Sequence, residues 1–385
     1  MRRSPAEVIC FIRELFGGEA AIPLHEPRLG ERELELVSKS IQSTYVSSVG
    51  EYVDQFESDL ADYLGVPKVV ATVNGTAALH VALHALGVGR GDIVITQPLT
   101  FVATCNAIQY TGAEPAFVDV DLKTMGMSPQ ALLGFLSSKA SVEGGRCILS
   151  DTGQHIKAVV PMHTLGHPAN LNALSNICES WGLELIEDAA ESLGSQYQGR
   201  HVGTFGRLAA LSFNGNKIIT TGGGGAVVCS SEELGRRIKH LTTTAKVSHP
   251  YDYIHDQVAF NYRLPNLNAA LGCAQLEKIE RFVTEKRSLA AQYKAYFAGS
   301  NFRFVEEPEG SCANYWLNSI LCASVAERDE LLKEAGQAGV QLRPAWELMQ
   351  RLPAFRNSPK ADLDVSAFVR DRLVCLPSSS PKGLH

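Results

Sequence analysis

Lys217 is the residue whose setting most invites covalent chemistry. The run Leu208-Ala209-Ala210-Leu211 reads as a buried strand. It delivers Ser212, Phe213 and an Asn214-Gly215-Asn216 turn before the lysine, and Gly222 to Gly225 follow closely. A lysine in a largely apolar pocket loses hydration of its ammonium, so its pKa falls and the neutral amine can attack a carbonyl. The pattern suits an imine-forming lysine beside a bound phosphate, although a solvated lysine on a surface turn would show the same local run. Upstream, the apolar run Leu183-Glu184-Leu185-Ile186 ends in Glu187-Asp188-Ala189-Ala190-Glu191. Carboxylates at the carboxyl end of a parallel strand sit where open α/β sheets bind ligands. Asp188 could hold a proton on a pyridine-type nitrogen and so make that ring an electron sink. The two acids could equally cap the next helix.

A third segment, Val69-Val70-Ala71-Thr72-Val73-Asn74-Gly75-Thr76-Ala77-Ala78-Leu79, passes from strand through a turn into a helix. Glycine permits close backbone approach, and the free N–H groups of a helix start attract phosphate. Strand–turn–helix units of this kind also occur without a ligand. Phe101, in Thr100-Phe101-Val102-Ala103-Thr104, could stack on a flat ring or serve as core. His163 and His167 flank a turn at Gly166; either could be a hydrogen-bonded structural residue, and His163 is also a candidate to face a substrate. Neither GxxxxGK[ST] nor a dinucleotide fingerprint is present, and Gly87, Gly89 and Gly91 read as a helix stop.

These chemical groups need a scaffold, and the hydrophobic pattern supplies one. Apolar β-runs near 69–73, 93–97, 116–119, 157–160, 183–187, 208–212 and 226–229 alternate with helical patterns near 75–86, 101–110, 128–138, 170–181 and 231–241. Such alternation predicts an α/β fold with a large, mostly parallel sheet covered on both faces. A single long helix is expected from Asn266 to about Phe297, ended by Gly299 and Asn301, with a smaller C-terminal α/β domain after it. The expected organisation is an N-terminal arm over residues 1–25, a large domain over 26–265, and the connecting helix with the small domain over 266–385. Residues 138–156, polar and glycine-containing, read as an exposed insertion between elements.

Composition is that of an ordinary globular protein. The 385 residues are 45% hydrophobic and 20% charged, with a net charge of −6, so no basic excess points to nucleic acid or an anionic membrane. Nine scattered cysteines lack any C-x-x-C pair, which argues against a disulfide framework or a zinc site and fits reduced thiols in a cytoplasmic protein. The start, Met1-Arg2-Arg3-Ser4-Pro5, is basic, but acidic residues and glycine interrupt the apolar stretch before it resembles a signal peptide. No window approaches 18 unbroken apolar residues.

Taken in order, Asn74-Gly75-Thr76-Ala77-Ala78-Leu79, Gly91-Asp92 with Thr100-Phe101-Val102-Ala103-Thr104, Glu187-Asp188-Ala189-Ala190, and Ser212-Phe213 leading to Lys217 resemble the DegT/DnrJ/EryC1/StrS family. Asn261-Tyr262-Arg263 with Asn268-Ala269-Ala270-Leu271-Gly272 resembles a later block, and the resemblance runs from about Pro23 to about Ser379. It implies a pyridoxal 5'-phosphate enzyme, mostly sugar aminotransferases, with the type I (aspartate aminotransferase-like) fold. It further implies that Lys217 carries the cofactor as an imine, that Asp188 pairs with the pyridine nitrogen, and that Ser212, Gly75 and Thr76 hold the phosphate. Phe101 would stack on the ring. Asn261 would reach the phosphate of a neighbouring subunit, so a homodimer with shared active sites is implied. Glu191 departs from the family pattern, where Gln or His is usual beside the cofactor. The Asn-Gly-Asn turn before Lys217 departs too.

Three further blocks are similar to the branch that aminates nucleotide-linked 4-keto-6-deoxy sugars on routes to legionaminic acid and bacillosamine. They are Thr44-Tyr45-Val46 through Gly50, Asn314-Tyr315-Trp316, and Leu342-Arg343-Pro344-Ala345-Trp346. They make Tyr45, Tyr315 and Trp346 candidate substrate contacts. The expected reaction moves an amino group from L-glutamate to the keto sugar, with a UDP-linked N-acetyl sugar as the acceptor. Amination at carbon 3 of a dTDP-linked sugar and a non-catalytic regulator are the alternatives. Sugar dehydratases of the family carry His in place of the lysine, so Lys217 argues against them.

Overall fold

A computed structural model describes residues 2–18 and 21–379. Its main sheet is built on seven strands: β1 (Lys68–Thr72), β2 (Asp92–Thr96), β3 (Glu114–Phe117), β4 (His155–Val160), β5 (Glu184–Asp188), β6 (Leu208–Ser212) and β7 (Gly225–Cys229). They lie in the order β1-β7-β6-β5-β4-β2-β3. The neighbours from β6 through to β3 pair in parallel, and β7 runs antiparallel to both β6 and β1. Both faces are covered, which is why Val69-Val70-Ala71 and Ile93-Val94-Ile95 read as continuous apolar runs instead of alternating ones. One face packs on helix Gly75–Ala85 through Leu79, Val81, Ala82 and Leu83. The other packs on helices Glu51–Leu64 and Asn266–Leu276, where Phe56 meets Phe213 edge-on at 5.2 Å between ring centres.

The strands fall within two residues of their sequence-based positions, but two expectations need correction. Residues 138–156 are not a bare insertion. They contain a hairpin, Ala140–Glu143 with Arg146–Leu149, that pairs onto the start of β4 and buries Cys147 and Leu149. The helix expected from Asn266 to Phe297 is two helices, Asn266–Leu276 and Ile279–Phe297. At the junction the Lys278 N–H bonds the Gln275 carbonyl in a tightened turn. Side chains hold the break: Gln275 Nε2 donates to Glu33 at 2.6 Å, and Lys278 Nζ reaches both Glu33 oxygens at 2.7 Å. Satisfying a buried carboxylate outweighs one more turn of helix.

Past that junction the chain builds a second layer. Strands Arg303–Phe304, Ser319–Leu321, Leu373–Cys375 and Arg343–Pro344 form a four-stranded sheet in that order. The N-terminal helix, Pro5–Leu15, joins this layer, inserting Val8, Ile9 and Ile12 among Leu289, Tyr293 and Leu331. Ser4 and Glu7 close a reciprocal capping box at its start. All nine cysteines are free thiols. No helix among the described residues is long and apolar enough to cross a membrane.

The carboxyl end of β5 is fixed by Glu187. Its buried carboxylate accepts from the N–H groups of Gly203, Phe205 and Gly206 at 2.7 to 2.8 Å and bonds His163 Nε2 at 3.1 Å. Burial pushes its pKa up, yet the His163 bond and charge and the loop N–H groups outweigh that and hold it below the usual carboxylate value of 4.5. A folded-state pKa below the unfolded one gives stability that is present above about pH 4.5 and lost as pH falls through the lowered value. Glu187→Gln is therefore expected to lower neutral-pH stability by on the order of 3 kcal/mol and to flatten the acid limb. Urea melts between pH 3 and 7, about a unit apart, check both effects. Phe56→Ala should cost about 3–5 kcal/mol, read as a lower urea midpoint at unchanged slope.

Candidate active site

The carboxyl ends of the parallel strands open into a cleft of about 330 Å³. Lys217 stands on the loop after β6, in a turn closed by its own N–H bonding the Asn214 carbonyl at 2.9 Å. Its Nζ lies 3.3 Å from Glu191 Oε1 and 4.0 Å from the centre of the Trp316 ring. The lysine side chain is 13% exposed and that of Glu191 2%. A carboxylate on one side and an aromatic face on the other can hold an ammonium with little water.

Asp188, the last residue of β5, is buried beside it. Thr104 Oγ1 donates to its Oδ2 at 2.7 Å, and the Ala190 N–H donates to its Oδ1 at 3.2 Å. Burial pushes the Asp188 pKa up, opposed by the Thr104 hydroxyl, the Ala190 N–H and the charge of Lys217. Burial likewise lifts Glu191, to about 7, with Lys217 opposing. Both helix caps and ligand partners had been open readings for the Glu187-Asp188 pair. Glu187 locks a loop instead, while Asp188 lines the cleft.

The opposite wall is the start of helix Gly75–Ala85. Asn74 caps it by accepting from the Ala77 N–H at 2.8 Å, and the N–H groups of Gly75 and Thr76 have no intrahelical acceptor. Ser212, at the end of β6, faces this turn: a Cβ on Gly75 would lie 2.9 Å from Ser212 Cβ. The last glycine of the four-glycine run is explained here as well. A Cβ on Gly225 would sit 2.5 Å from the Asn74 carbonyl carbon, so β7 can begin against the helix start only without a side chain. Helix N–H groups, a hydroxyl and a gap too narrow for a methyl make an anion cradle. With Phe101, half-exposed on the cleft wall, and the buried Asp188 and Lys217, the set fits pyridoxal phosphate.

Of the residues singled out from sequence, Lys217, Asp188, Glu191, Ser212, Gly75, Thr76, Phe101 and Trp346 line one cleft. His163 does not, which corrects its candidacy as a substrate contact: its ring is fully buried, bonded to Glu187 on one side and to the Ala169 N–H on the other. Tyr315 is also corrected. It turns into the C-terminal layer, stacks on Phe304 and accepts from the Glu307 N–H at 3.1 Å. Trp316 faces the cleft in its place, with its indole N–H on the Asn216 carbonyl at 2.7 Å. Tyr45 is anchored outside the cleft by its carbonyl, which accepts from Asn266 Nδ2 at 2.6 Å, and its ring is exposed. Asn261 also lies outside, on an exposed segment whose Tyr251 and Tyr253 are 90% and 82% exposed.

Sequence reasoning passed over Thr104 and Trp316 as site residues. Thr104 carried a usable signal, since it falls one turn into the helix that starts beyond Phe101 and so turns toward the strand ends. Trp316 carried no local signal of its own beyond its place next to Tyr315 in the Asn314-Tyr315-Trp316 block, and Tyr315 has a left-handed φ of 47°.

Behind the Trp316 wall sits Lys286, fully buried, donating to the carbonyls of Trp316 at 3.1 Å and Ser378 at 2.6 Å. Burial pushes its pKa down to about 7. A second pocket of about 220 Å³ adjoins the cleft, sharing Asn216, Trp316 and Trp346 with it and adding Leu99, Leu317 and Arg343.

Comparison with known proteins agrees with this geometry. Residues 27–381 match the DegT/DnrJ/EryC1/StrS aminotransferase family. The chain is 37% identical over 334 residues to a GDP-perosamine synthase of Escherichia coli O157:H7, covering 87% of each. It is 35% identical over 364 residues to a putative pyridoxal phosphate-dependent aminotransferase, EpsN, of Bacillus subtilis strain 168, covering 93% of this chain and 91% of that one. Among solved structures it is similar to the aminotransferase TlmJ of Streptoalloteichus hindustanus, with a TM-score of 0.84, 27% identity and 93% of each chain covered. Fold, site and sequence lead to one conclusion: this chain belongs to the DegT/DnrJ/EryC1/StrS aminotransferase family, with the α/β fold of its pyridoxal phosphate-dependent members.

Proposed function

We propose that this sugar aminotransferase transfers an amino group from L-glutamate to a 4-keto-6-deoxy sugar carried on guanosine diphosphate. Pyridoxal phosphate is its cofactor. The observation that carries the reading is Lys217, held almost dry between Glu191 and Trp316 within one cleft that also contains the anion cradle and buried Asp188. Sequence reasoning favoured a UDP-linked N-acetyl sugar. The name of the Escherichia coli relative moves the proposed nucleotide to guanosine diphosphate.

When bound, pyridoxal phosphate supplies an electron sink that makes the donor's α-carbon acidic. The protein's part is positional and protonic. Gly75, Thr76 and Ser212 would hold the phosphate group, Asp188 would keep the ring nitrogen protonated, and Phe101 would lie against the ring. Lys217 Nζ would take and return the proton at the donor carbon, and then do the same for the acceptor sugar. Trp316 and Trp346 exclude water from that exchange. Donor and acceptor use one site in turn, so double-displacement kinetics are expected. We also propose a homodimer in which the exposed segment around Asn261 completes the partner's phosphate cradle; the exposed Tyr251 and Tyr253 beside it favour that role.

Among the described residues lining the cleft and its adjoining pocket, Lys217 and Arg343 are the cations. Glutamate and a nucleotide sugar are both anionic, and Lys217 is committed to chemistry, so Arg343 is placed to receive the negative group of each. Arg343→Ala should raise KM for both substrates by about tenfold and leave the visible spectrum of the bound cofactor unchanged. A normal KM for both substrates in that variant would remove Arg343 from binding. Lys217→Ala should abolish turnover. The central experiment incubates wild-type protein with glutamate and a panel of GDP-, UDP- and dTDP-linked keto sugars and weighs the products. Amination of the GDP-linked sugar is expected, and product from the other nucleotides alone would overturn the assignment.

A further inference from the structure

We infer that Glu191 is the proton partner of Lys217: one proton is shared between Lys217 Nζ and Glu191 Oε1, and it rests on the carboxylate while the amine acts as base or nucleophile. The inference rests on the reading of Lys217 as the working amine. It gives Glu191 a task of its own, distinct from lining the cofactor site.

The geometry carries it. Glu191 cannot swing away, because its Oε2 accepts from the Leu165 N–H at 2.9 Å. That fixes Oε1 toward Lys217 Nζ at 3.3 Å. The residue is 3% exposed, so solvent does not compete for the proton. Charge counting in the cleft then selects Glu191. Two buried carboxylates, Asp188 and Glu191, face one ammonium, and an uncompensated buried charge is expensive. The carboxylate with fewer other donors is therefore the one that receives the ammonium's proton. Asp188 has the Thr104 hydroxyl and the Ala190 N–H to stabilise its charged form. Glu191 has one backbone N–H and the lysine itself.

Every titratable group facing the pair favours the same division. The charge on Asp188 pushes Glu191 up, adding to burial, which lifts it to about 7. The Cys375 thiol, on the C-terminal layer, is itself pushed up by burial and by Glu191, so it stays neutral. His25, in the electrostatic reach of both Lys217 and Lys286, is pushed down by burial and stays uncharged. His163, two residues before Leu165, is occupied by Glu187.

The step balances without another reactant. An Nζ–H bond of the ammonium breaks and an O–H bond forms on Oε1, while the electron pair stays on nitrogen. An ion pair becomes a neutral pair with no change in the net charge of the cleft, and the reverse step restores it.

The test uses full-length protein stripped of cofactor. Acylation of Lys217 by an amine-reactive reagent is followed against pH by peptide mass spectrometry, in wild type, Glu191→Gln and Glu191→Asp. Wild type should show two steps, the lower near neutrality. Glu191→Gln should show a single step, and Glu191→Asp two steps with the lower one displaced. In the loaded enzyme, Glu191→Gln should lower kcat about 10²-fold, change KM for glutamate less than about threefold, and lose the pH–rate limb near 7. Wild-type and Glu191→Gln labelling profiles that superimpose would overturn the inference, as would a fall in kcat with that limb unchanged. If Glu191→Gln does not fold, Glu191→Asp decides: a lower step at the wild-type position overturns it. Two-step labelling in a protein that aminates no keto sugar would sink the proposed function and leave the proton pair standing.

Discussion

A buried ammonium needs a counter-charge, and that need organises the centre of this molecule. Lys217 can sit nearly dry at the cleft floor because Glu191 lies 3.3 Å away and the Trp316 ring covers the other side. Neither partner is local in sequence. Glu191 arrives from the turn after β5, held by a backbone N–H of the segment that follows β4, and Trp316 comes from the C-terminal layer. The parallel sheet is the device that makes the meeting possible, since it brings the carboxyl ends of β5 and β6 side by side.

The second constraint is steric. The anion cradle works only where three backbones approach more closely than side chains allow. Gly75 lies against Ser212, and Gly225 starts β7 against the Asn74 carbonyl. β7 also supplies the antiparallel strand between β6 and β1, so one glycine serves the register of the sheet and the shape of the site together. Sheet pairing and ligand geometry are thus coupled at the strand ends, and the charged residues there are satisfied by loops whose N–H groups would otherwise lack partners. Glu187 is the plainest case, with three loop N–H groups and one imidazole on a single carboxylate.

Much of this was legible in sequence because it was written in local pattern. Continuous apolar runs marked the strands, and Asn74-Gly75-Thr76 marked a capped helix start. Lys217 stood out because its run left a strand through a polar turn. What was not legible depended on tertiary contacts. The break between Leu276 and Ile279 is set by Glu33, far away in the chain, and the helical period runs through it without a mark. The hairpin at 140–149 reads as an exposed insertion, since only pairing with β4 turns it into sheet. His163 was drawn toward the substrate by type and position, and Tyr315 by the resemblance of its block to one branch of the family. Each instead satisfies a polar group that sequence does not display, the buried Glu187 carboxylate and the part-buried Glu307 N–H.

One feature of the C-terminal layer reaches further than its position suggests. The Lys286 ammonium bonds the carbonyls of both Trp316 and Ser378. The wall over the reactive amine and the segment at Ser378 are therefore clamped by a shared rivet. Together with the Asn318 bonds to Leu376 and Ser378, that ammonium ties the 376–378 segment to the indole that shields the chemistry.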